Sequence, residues 1–518
     1  MAISTIIKRI QDVMRQDIGV DGDAQRLGQL GWMLFFKIYS DYDEQLELED
    51  DEYTSPIPDG LLWSQWADEK KLGKHAPTGD KLIEFVDQEF FPRLKELNVS
   101  EFPEGLMQQR AGVLQEVFED AFNYMKSGNL LRKVINIINY DIDFNEAKTR
   151  HLFGDIYEQL LKDLQSAGNA GEYYTPRAVT QFAVDMIDPQ LGESVLDPAC
   201  GTGGFLACAY EHMRKQAKTA KDQRLVEQSI HGVEKKPLPY VLCVTNMMTH
   251  DIANPSNIER RNTLIKSLSS YGPDDEVDVI LTNPPFGGTE EEGIEQGFGE
   301  FKTRETADLF LVLVMELLKD GGRAAIVLPD GTLFGEGLKT TLKQKLLSEC
   351  NLHTIVRLPK GVFAPYTSIK TNVLFFEKGT PTKEIWYYEH PYPPGYKSYS
   401  KTKPMRIQEF KPEKAWWTKR KESEHAWKVT LDEVKERGYN LDISNPNAPE
   451  DTHEDPDVLL AKYHKATKAA EKARQALMSS LMESLGTGAS QIDSKAPTAM
   501  SGDKGGAQTR LFGPGGQA

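Results

Sequence analysis

The sequence predicts an α/β protein: a parallel sheet with helices on both faces, preceded by a helical region and followed by one more helix. From about residue 150, short apolar runs alternate with helical patterns: "ESVLDPACGTGGF", "SIHGVEKK", "VDVILTNPPF" and "GGRAAIVLPDG". The segments between them are long enough for crossover helices, the signature of a parallel sheet. "LHTIVRLP" and "TNVLFFEKG" read as further strands. Before about residue 140 the apolar positions recur with a helical period, in "RLGQLGWMLFFKIYSDYDEQL" and "GLMQQRAGVLQEVFEDAF". After about residue 440 the chain turns polar. A helix is then predicted behind Asp455-Pro456, where Leu459, Tyr463, Ala466, Ala470, Ala473 and Leu477 follow 4-3-4-3-4 spacing. Packing on its own domain and docking to another subunit both explain that thin seam.

These textures divide the chain into a helical domain (1–145), an α/β domain (146–445) in which the candidate catalytic motifs below fall, a linker and helix (446–486) suited to a partner, and a Gly/Ser/Ala/Gln-rich tail (487–518) expected to be disordered. With 518 residues, 39% hydrophobic and 27% charged, the chain has the composition of a soluble globular protein. Its first residues lack an uninterrupted apolar stretch, and the longest apolar run, "LFLVLVMELL" (309–318), is half a membrane span. A cytoplasmic protein with no membrane association is expected. Cys200, Cys208, Cys243 and Cys350 form no C-x-x-C pair and match no histidine spacing, so no metal site and no disulfide framework are expected.

The net charge is −17, and residues 1–150 account for −11 of it, with 17 Lys+Arg against 28 Asp+Glu. "DYDEQLELEDDE" (41–52) alone holds eight acids, most simply a solvated helix face and loop. Such a balance argues against wrapping nucleic acid unaided. If DNA is the substrate, a partner supplies much of the positive surface.

"VLDPACGTGGF" (195–205) is the strongest local signal. A strand delivers Asp197, and Gly201, Thr202, Gly203 and Gly204 turn the chain into a helix; glycines serve where a backbone bends sharply and approaches a ligand. Neither G-x-x-x-x-G-K-[ST] nor G-x-G-x-x-G is satisfied, which weakens a phosphate-binding reading. An adenosine ligand without phosphates remains, and S-adenosylmethionine fits. Glu234, at the end of "SIHGVEKK", is placed to accept from its ribose hydroxyls, although a lone Glu at a strand end is often only a polar terminus. Asn262 in "RRNTL" could meet the adenine edge or sit in a plain turn. Upstream, "GEYYTPRAV" (171–179) suits a helix start, with Thr175 as N-cap and Pro176 in the first turn. Capping does not account for two adjacent tyrosines, Tyr173 and Tyr174.

"NPPF", Asn283-Pro284-Pro285-Phe286, closes an apolar strand. It is either a stiff strand end or a substrate cup. As a cup, the Asn283 side-chain oxygen and the Pro284 carbonyl would accept the hydrogens of an exocyclic NH2 and aim its lone pair at a methyl donor, while Phe286 stacks on a base taken out of the helix. No Ser-His-Asp set, metal cluster or carboxylate pair competes in this unit. The following "GGTEEEGIEQGFGEFKTRETADL" (287–309) has the composition of a mobile loop or an ordinary surface insertion.

Taken in order, "LFGDIYEQLL", "GEYYTPRAV", "VLDPACGTGGF", "NPPF" and "RLPKGVFAPYTSIKTNVLFF" resemble the modification (methyltransferase) subunit of type I restriction–modification systems, an N6-adenine DNA methyltransferase with the motif order of the gamma class. The resemblance covers all but about the last thirty residues. It implies a Rossmann-like S-adenosylmethionine-dependent methyltransferase sheet. It further implies cofactor contacts from Glu172, Tyr173, Tyr174, Thr175, Pro176 and Arg177, from Thr202 to Gly204 and from Glu234, with catalysis by Asn283 to Phe286. Its implied partners are double-stranded DNA, a specificity subunit shared by two modification subunits, and restriction subunits that cleave unmodified DNA. Related enzymes often carry Asp where this chain has Asn262. A protein-glutamine N5-methyltransferase uses a similar cup, and a non-catalytic assembly subunit would keep the fold; these are the rival readings.

Overall fold

The computed structural model describes residues 3–142, 174–400, 402–447 and 456–484. Helices alone fill 3–142. The longer ones are α1 (Ile3–Met14), α2 (Asp23–Glu49), α3 (Leu106–Glu119) and α4 (Gly128–Asp141), with short helical turns between α2 and α3. Their apolar stripes close on a cluster of aromatic rings: Trp32, Phe36, Phe90, Phe91 and Phe118 meet edge to face at 4.7–6.3 Å.

The rest of the larger unit is built on a nine-stranded sheet. In chain order it runs α5 (Arg177–Ile187), β1 (Val195–Asp197), α6 (Gly204–Arg214), α7 (Ala220–Ser229), β2 (Ile230–Glu234), α8 (Pro237–Thr249), β3 (Ile258–Arg260), β4 (Val277–Thr282) and α9 (Thr306–Leu317). It continues with β5 (Leu318–Pro329), α10 (Leu338–Glu349), β6 (Cys350–Leu358), β7 (Thr371–Lys378), β8 (Glu384–Glu389), α11 (Lys411–Trp417) and β9 (Ala426–Thr430). The strand order is β3-β2-β1-β4-β5-β7-β6-β8-β9. β3 to β5 are parallel, as the alternating sequence predicts. The expectation of an all-parallel sheet fails at β7, which pairs antiparallel with β5 and β6, and at β9, antiparallel to β8. The residues between β6 and β7 form turns and no crossover helix, so the chain folds back beside β6 in the opposite direction.

Strand alternation sends Val279 and Leu281 to one face and Ile280 to the other. On the first face lie α5, α6 and α8, and their core is continuous with the aromatic cluster of the helical region. On the second lie α9 and α10. The run "LFLVLVMEL" is almost wholly buried in α9, which explains its all-round hydrophobicity. Among the described residues no helix is long and apolar enough to cross a membrane.

Polar contacts join the helical region to the sheet. Arg110 on α3 is fully buried; its Nε and Nη2 donate to Asp43 at 2.9 and 2.7 Å, and its Nη1 donates to the carbonyl of Ala253, between α8 and β3. Tyr42 donates to Met248 O at 3.2 Å, and Tyr240 to Glu116 at 2.7 Å. The described residues up to Asn447 belong to one compact unit. In the second unit, the helix expected behind Asp455-Pro456 is present as α12 (Pro456–Ser484), with Pro456 its first residue, and Leu460, Tyr463, Leu477, Met478 and Leu481 are exposed on it. The tail expected to be disordered lies outside the described residues.

Candidate functional site

After β1 the chain leaves for β2 and β3 on one side and returns to β4 on the other. The sheet's direction of growth therefore reverses at β1 and β4, and a crevice opens beyond their carboxyl ends. A cavity of about 270 Å³ occupies it. Asp197 from β1, Glu234 from β2 and Asn283 from β4 line it, with Thr175, Gly201, Thr202, Gly204, Asn262 and Pro285.

The glycine turn is held from three sides. Glu234 accepts Gly201 N–H at 2.9 Å and Lys236 N–H at 2.7 Å, one on each carboxylate oxygen. Asn246 of α8 donates to Thr202 O at 3.0 Å. Asp197 accepts Ala199 N–H at 3.1 Å. Burial pushes the Asp197 carboxyl up to about 7, the neighbouring Glu234 adding to the effect. Burial raises Glu234 as well, against the hydrogen bonds it accepts from backbone N–H groups.

Asn283 Nδ2 donates to Thr175 Oγ1 at 2.9 Å, while Asn283 Oδ1 is buried without a hydrogen-bond partner. The expected capping role of Thr175 is thus replaced: α5 starts at Arg177 with Pro176 at the N-cap, and the threonine hydroxyl is spent on the asparagine. Pro284 is buried, and Phe286 is half-buried with its ring 5.2 Å from Phe363 at 85°.

Several predicted site residues stand outside the cavity wall. Tyr174 is buried, and Arg177 donates to Gly204 O at 3.4 Å and Glu211 at 3.1 Å, bracing the turn from behind. Gly203 has φ +78°, and a Cβ there would lie 2.8 Å from Cys243 Sγ and 3.2 Å from Met247 Cε. Its missing side chain makes room for α8 rather than for a ligand. Glu172 and Tyr173 lie outside the described residues.

Asn262 lines the cavity, but its amide is engaged at both ends: Nδ2 donates to Glu290 at 3.1 Å and Oδ1 accepts Leu264 N–H at 3.1 Å. Glu290 also accepts from Lys235 at 3.0 Å. Sequence reading missed Glu290 because nothing distinguishes it from its neighbours in "TEEEG"; only the fold turns it inward. The loop that carries it is anchored: Glu290 N–H donates to Arg304 O at 2.8 Å, Arg304 Nε donates back to Glu290 O at 2.9 Å, and Phe298 and Phe301 are buried.

Comparison with known proteins gives the same reading. The family model for N-6 DNA methylase matches residues 148–455, and that for the HsdM N-terminal domain matches 3–138. The EcoEI type I restriction enzyme methylase subunit of Escherichia coli is 58% identical over 91% of this chain and 95% of its own. The EcoKI methylase subunit, from E. coli K12, is 35% identical over 47% of this chain and 49% of its own. Among solved structures, a chain assigned as the modification subunit of a type I restriction enzyme from Vibrio vulnificus YJ016 superposes with a TM-score of 0.76 at 42% identity, over 86% of this chain and 97% of that one. A chain from a study of assembly and conformational transition of the type I R-M system gives 0.77 at 35% identity, over 95% and 99%. With the two family models together spanning most of the sequence, and a close relative matched almost end to end, the chain belongs to the methylase subunits of type I restriction–modification systems, which are N6-adenine DNA methyltransferases.

Proposed function

We propose that the cavity takes S-adenosylmethionine and that Asn283 to Phe286 hold the N6 amino group of a flipped-out adenine beside it. The observation that supports this best is the bare Asn283 Oδ1. A buried acceptor left unpaired costs about 1–3 kcal/mol, which an incoming N–H recovers. Asp197 and Glu234 suit the cofactor side, because their carboxylate oxygens keep lone pairs for hydroxyl donors after accepting backbone N–H groups. Glu290 is the better acceptor next to the cofactor adenine, since Asn262 is already engaged at both ends.

When bound, S-adenosylmethionine supplies an activated methyl on a sulfonium. The chain's own task is then positioning. Asn283 Oδ1 and the Pro284 carbonyl each accept an N–H of the amine, so that its lone pair leaves conjugation and faces the donor. The two prolines keep that carbonyl fixed, and Phe286, braced by Phe363, offers an apolar ring to the extruded base.

In this reading the enzyme is of the gamma class and acts in the cytoplasm. Two copies share one specificity subunit that chooses the DNA site, and restriction subunits join for cleavage. Residues 1–145 and 146–445 act as helical and catalytic modules, and α12, within 446–486, contacts a partner through its exposed apolar positions. The experiment is mass spectrometry of DNA methylated by the purified complex. The wild type is expected to yield N6-methyladenine and Asn283→Ala at least about a hundredfold less; N6-methyladenine at the wild-type level in the variant overturns the cup.

A further inference from the structure

The chain as a whole is acidic, yet two loops are not. The loop after β6 (359–370) carries Lys360 and Lys370, and the loop after β8 (390–406) carries Lys397, Lys401, Lys403 and Arg406; neither contains a single Asp or Glu. β6 and β8 are parallel to each other, and β6 is linked through antiparallel β7 to β5, which is parallel to β4. Both loops therefore leave the same edge of the sheet as Asn283.

Contacts connect them to the cup. Phe363 in the first loop packs on Phe286. Tyr392 in the second donates to Lys360 O at 3.0 Å, and Gly361 lies so close to Tyr399 that a Cβ there would be 2.5 Å from its carbonyl oxygen. Lys360, Lys370, Lys397, Lys403 and Arg406 are exposed, and none is ion-paired to a carboxylate among the described residues. Lys403 stands over the Tyr396 ring at 5.2 Å. The loop after β4 has the opposite character, with six acids and two cations over 287–305. The edge that carries the cup is thus polarised, negative after β4 and positive after β6 and β8.

We propose that the loops after β6 and β8 are this chain's own surface for the DNA backbone, holding phosphates flanking the target adenine while the acidic loop after β4 faces away from them. The proposal rests on the DNA-methyltransferase reading of the cup. It also narrows the expectation that a partner supplies the positive surface: the part nearest the reacting base comes from this chain. Unpaired cations interleaved with tyrosines beside a base-stacking ring suit a phosphate backbone, because releasing condensed counterions from phosphates drives such binding.

The test uses the assembled methyltransferase with two separate variants, Lys360→Gln/Lys370→Gln and Lys397→Gln/Lys403→Gln/Arg406→Gln. Duplex binding is followed by fluorescence anisotropy through a salt series. The slope of log K against log salt is expected to fall by about 0.9 for each phosphate contact removed, roughly 2–3 for the triple variant per copy of the chain engaged on the duplex, equally on target and non-target duplexes. Cofactor affinity by calorimetry is expected to stay at the wild-type value. Unchanged slopes in both variants overturn the proposal, as does loss of the specificity subunit on gel filtration with the slope retained, which would assign the loops to a protein partner. A wild-type complex that makes no N6-methyladenine would instead sink the functional reading, so the two failures are distinguishable.

Discussion

Thr175 Oγ1 and Asn283 Nδ2 lie 2.9 Å apart, joining residues 108 positions distant in sequence. This contact fixes the asparagine amide with its oxygen left bare. The entry to α5 and the end of β4 are therefore joined by a direct side-chain contact, and in the proposed cup Thr175 would position the amide.

Replacing Thr175 with Val keeps the shape and removes the acceptor. A hydrogen bond worth about 1 kcal/mol implies a fall of roughly five- to tenfold in the methylation rate. Thr175→Ser should restore most of it. The kinetics should show kcat reduced more than the KM for cofactor; an equal change in KM alone would make Thr175 a simple binding residue.

Asn283→Ala removes the bare acceptor itself. Losing one positioned hydrogen-bonding group at a reacting centre costs about 10²–10³ in rate, and Phe286→Ala should also reduce methylation strongly. Both variants should still co-purify with the specificity subunit, because both residues lie past the end of β4 and neither is fully buried. Loss of assembly would point to a structural role.

Gly203→Ala should destabilise the protein rather than compete with cofactor. It forces a left-handed backbone on a residue with a Cβ and pushes that Cβ against Cys243. A cost of about 2–4 kcal/mol is expected, read as a lowered Tm. Gly203→Ala/Cys243→Ala should recover part of it, since only the collision with sulfur is relieved. Normal stability combined with lost cofactor binding would return Gly203 to the ligand face.

Asp197 gives a pH signature. Its carboxyl titrates near 7 in the fold against a usual 3.8, so the folded state binds the proton more tightly. The stability this confers is complete below 3.8 and is lost as pH rises toward 7, at about 1.4 kcal/mol per pH unit inside that window. Asp197→Asn should flatten this part of the profile for the cofactor-free protein. Denaturation midpoints from pH 5 to 8 test it, and parallel curves for the two proteins would refute the burial argument.

Glu290→Ala should raise the KM for S-adenosylmethionine several-fold by removing an acceptor and freeing Lys235 and Asn262 together. Glu290→Gln, which keeps one oxygen, should be milder. Indistinguishable calorimetric affinities for both would remove Glu290 from the cofactor site.

What the sequence made legible is what local chemistry determines. Glycines and prolines punctuate the ends of β1 and β4, and Asp197, Glu234 and Asn283 do converge on one cavity. β3, with only three residues and mostly polar, gave no periodic signal. β8 and β9 went unread because a mixed sheet edge lacks the strand–helix alternation that marks parallel units. Capping is a local rule and places Thr175 at the helix start, whereas the partner of its hydroxyl, Asn283, comes from across the sheet. Gly203 was read as a ligand contact because a missing Cβ serves close packing and close binding alike, and only the position of α8 decides between them.

The Arg110 guanidinium, seated between Asp43 and the Ala253 carbonyl, bears on how this chain can be divided. A cut near residue 143 would leave that carbonyl without its donor, strip the α2 side from α8 and open the shared apolar core. The sheet is then not a stand-alone folding module, and a split enzyme made there should aggregate as separate halves. A breakpoint beyond Asn447, past the last described residue of that compact unit, leaves the whole of that core on one side.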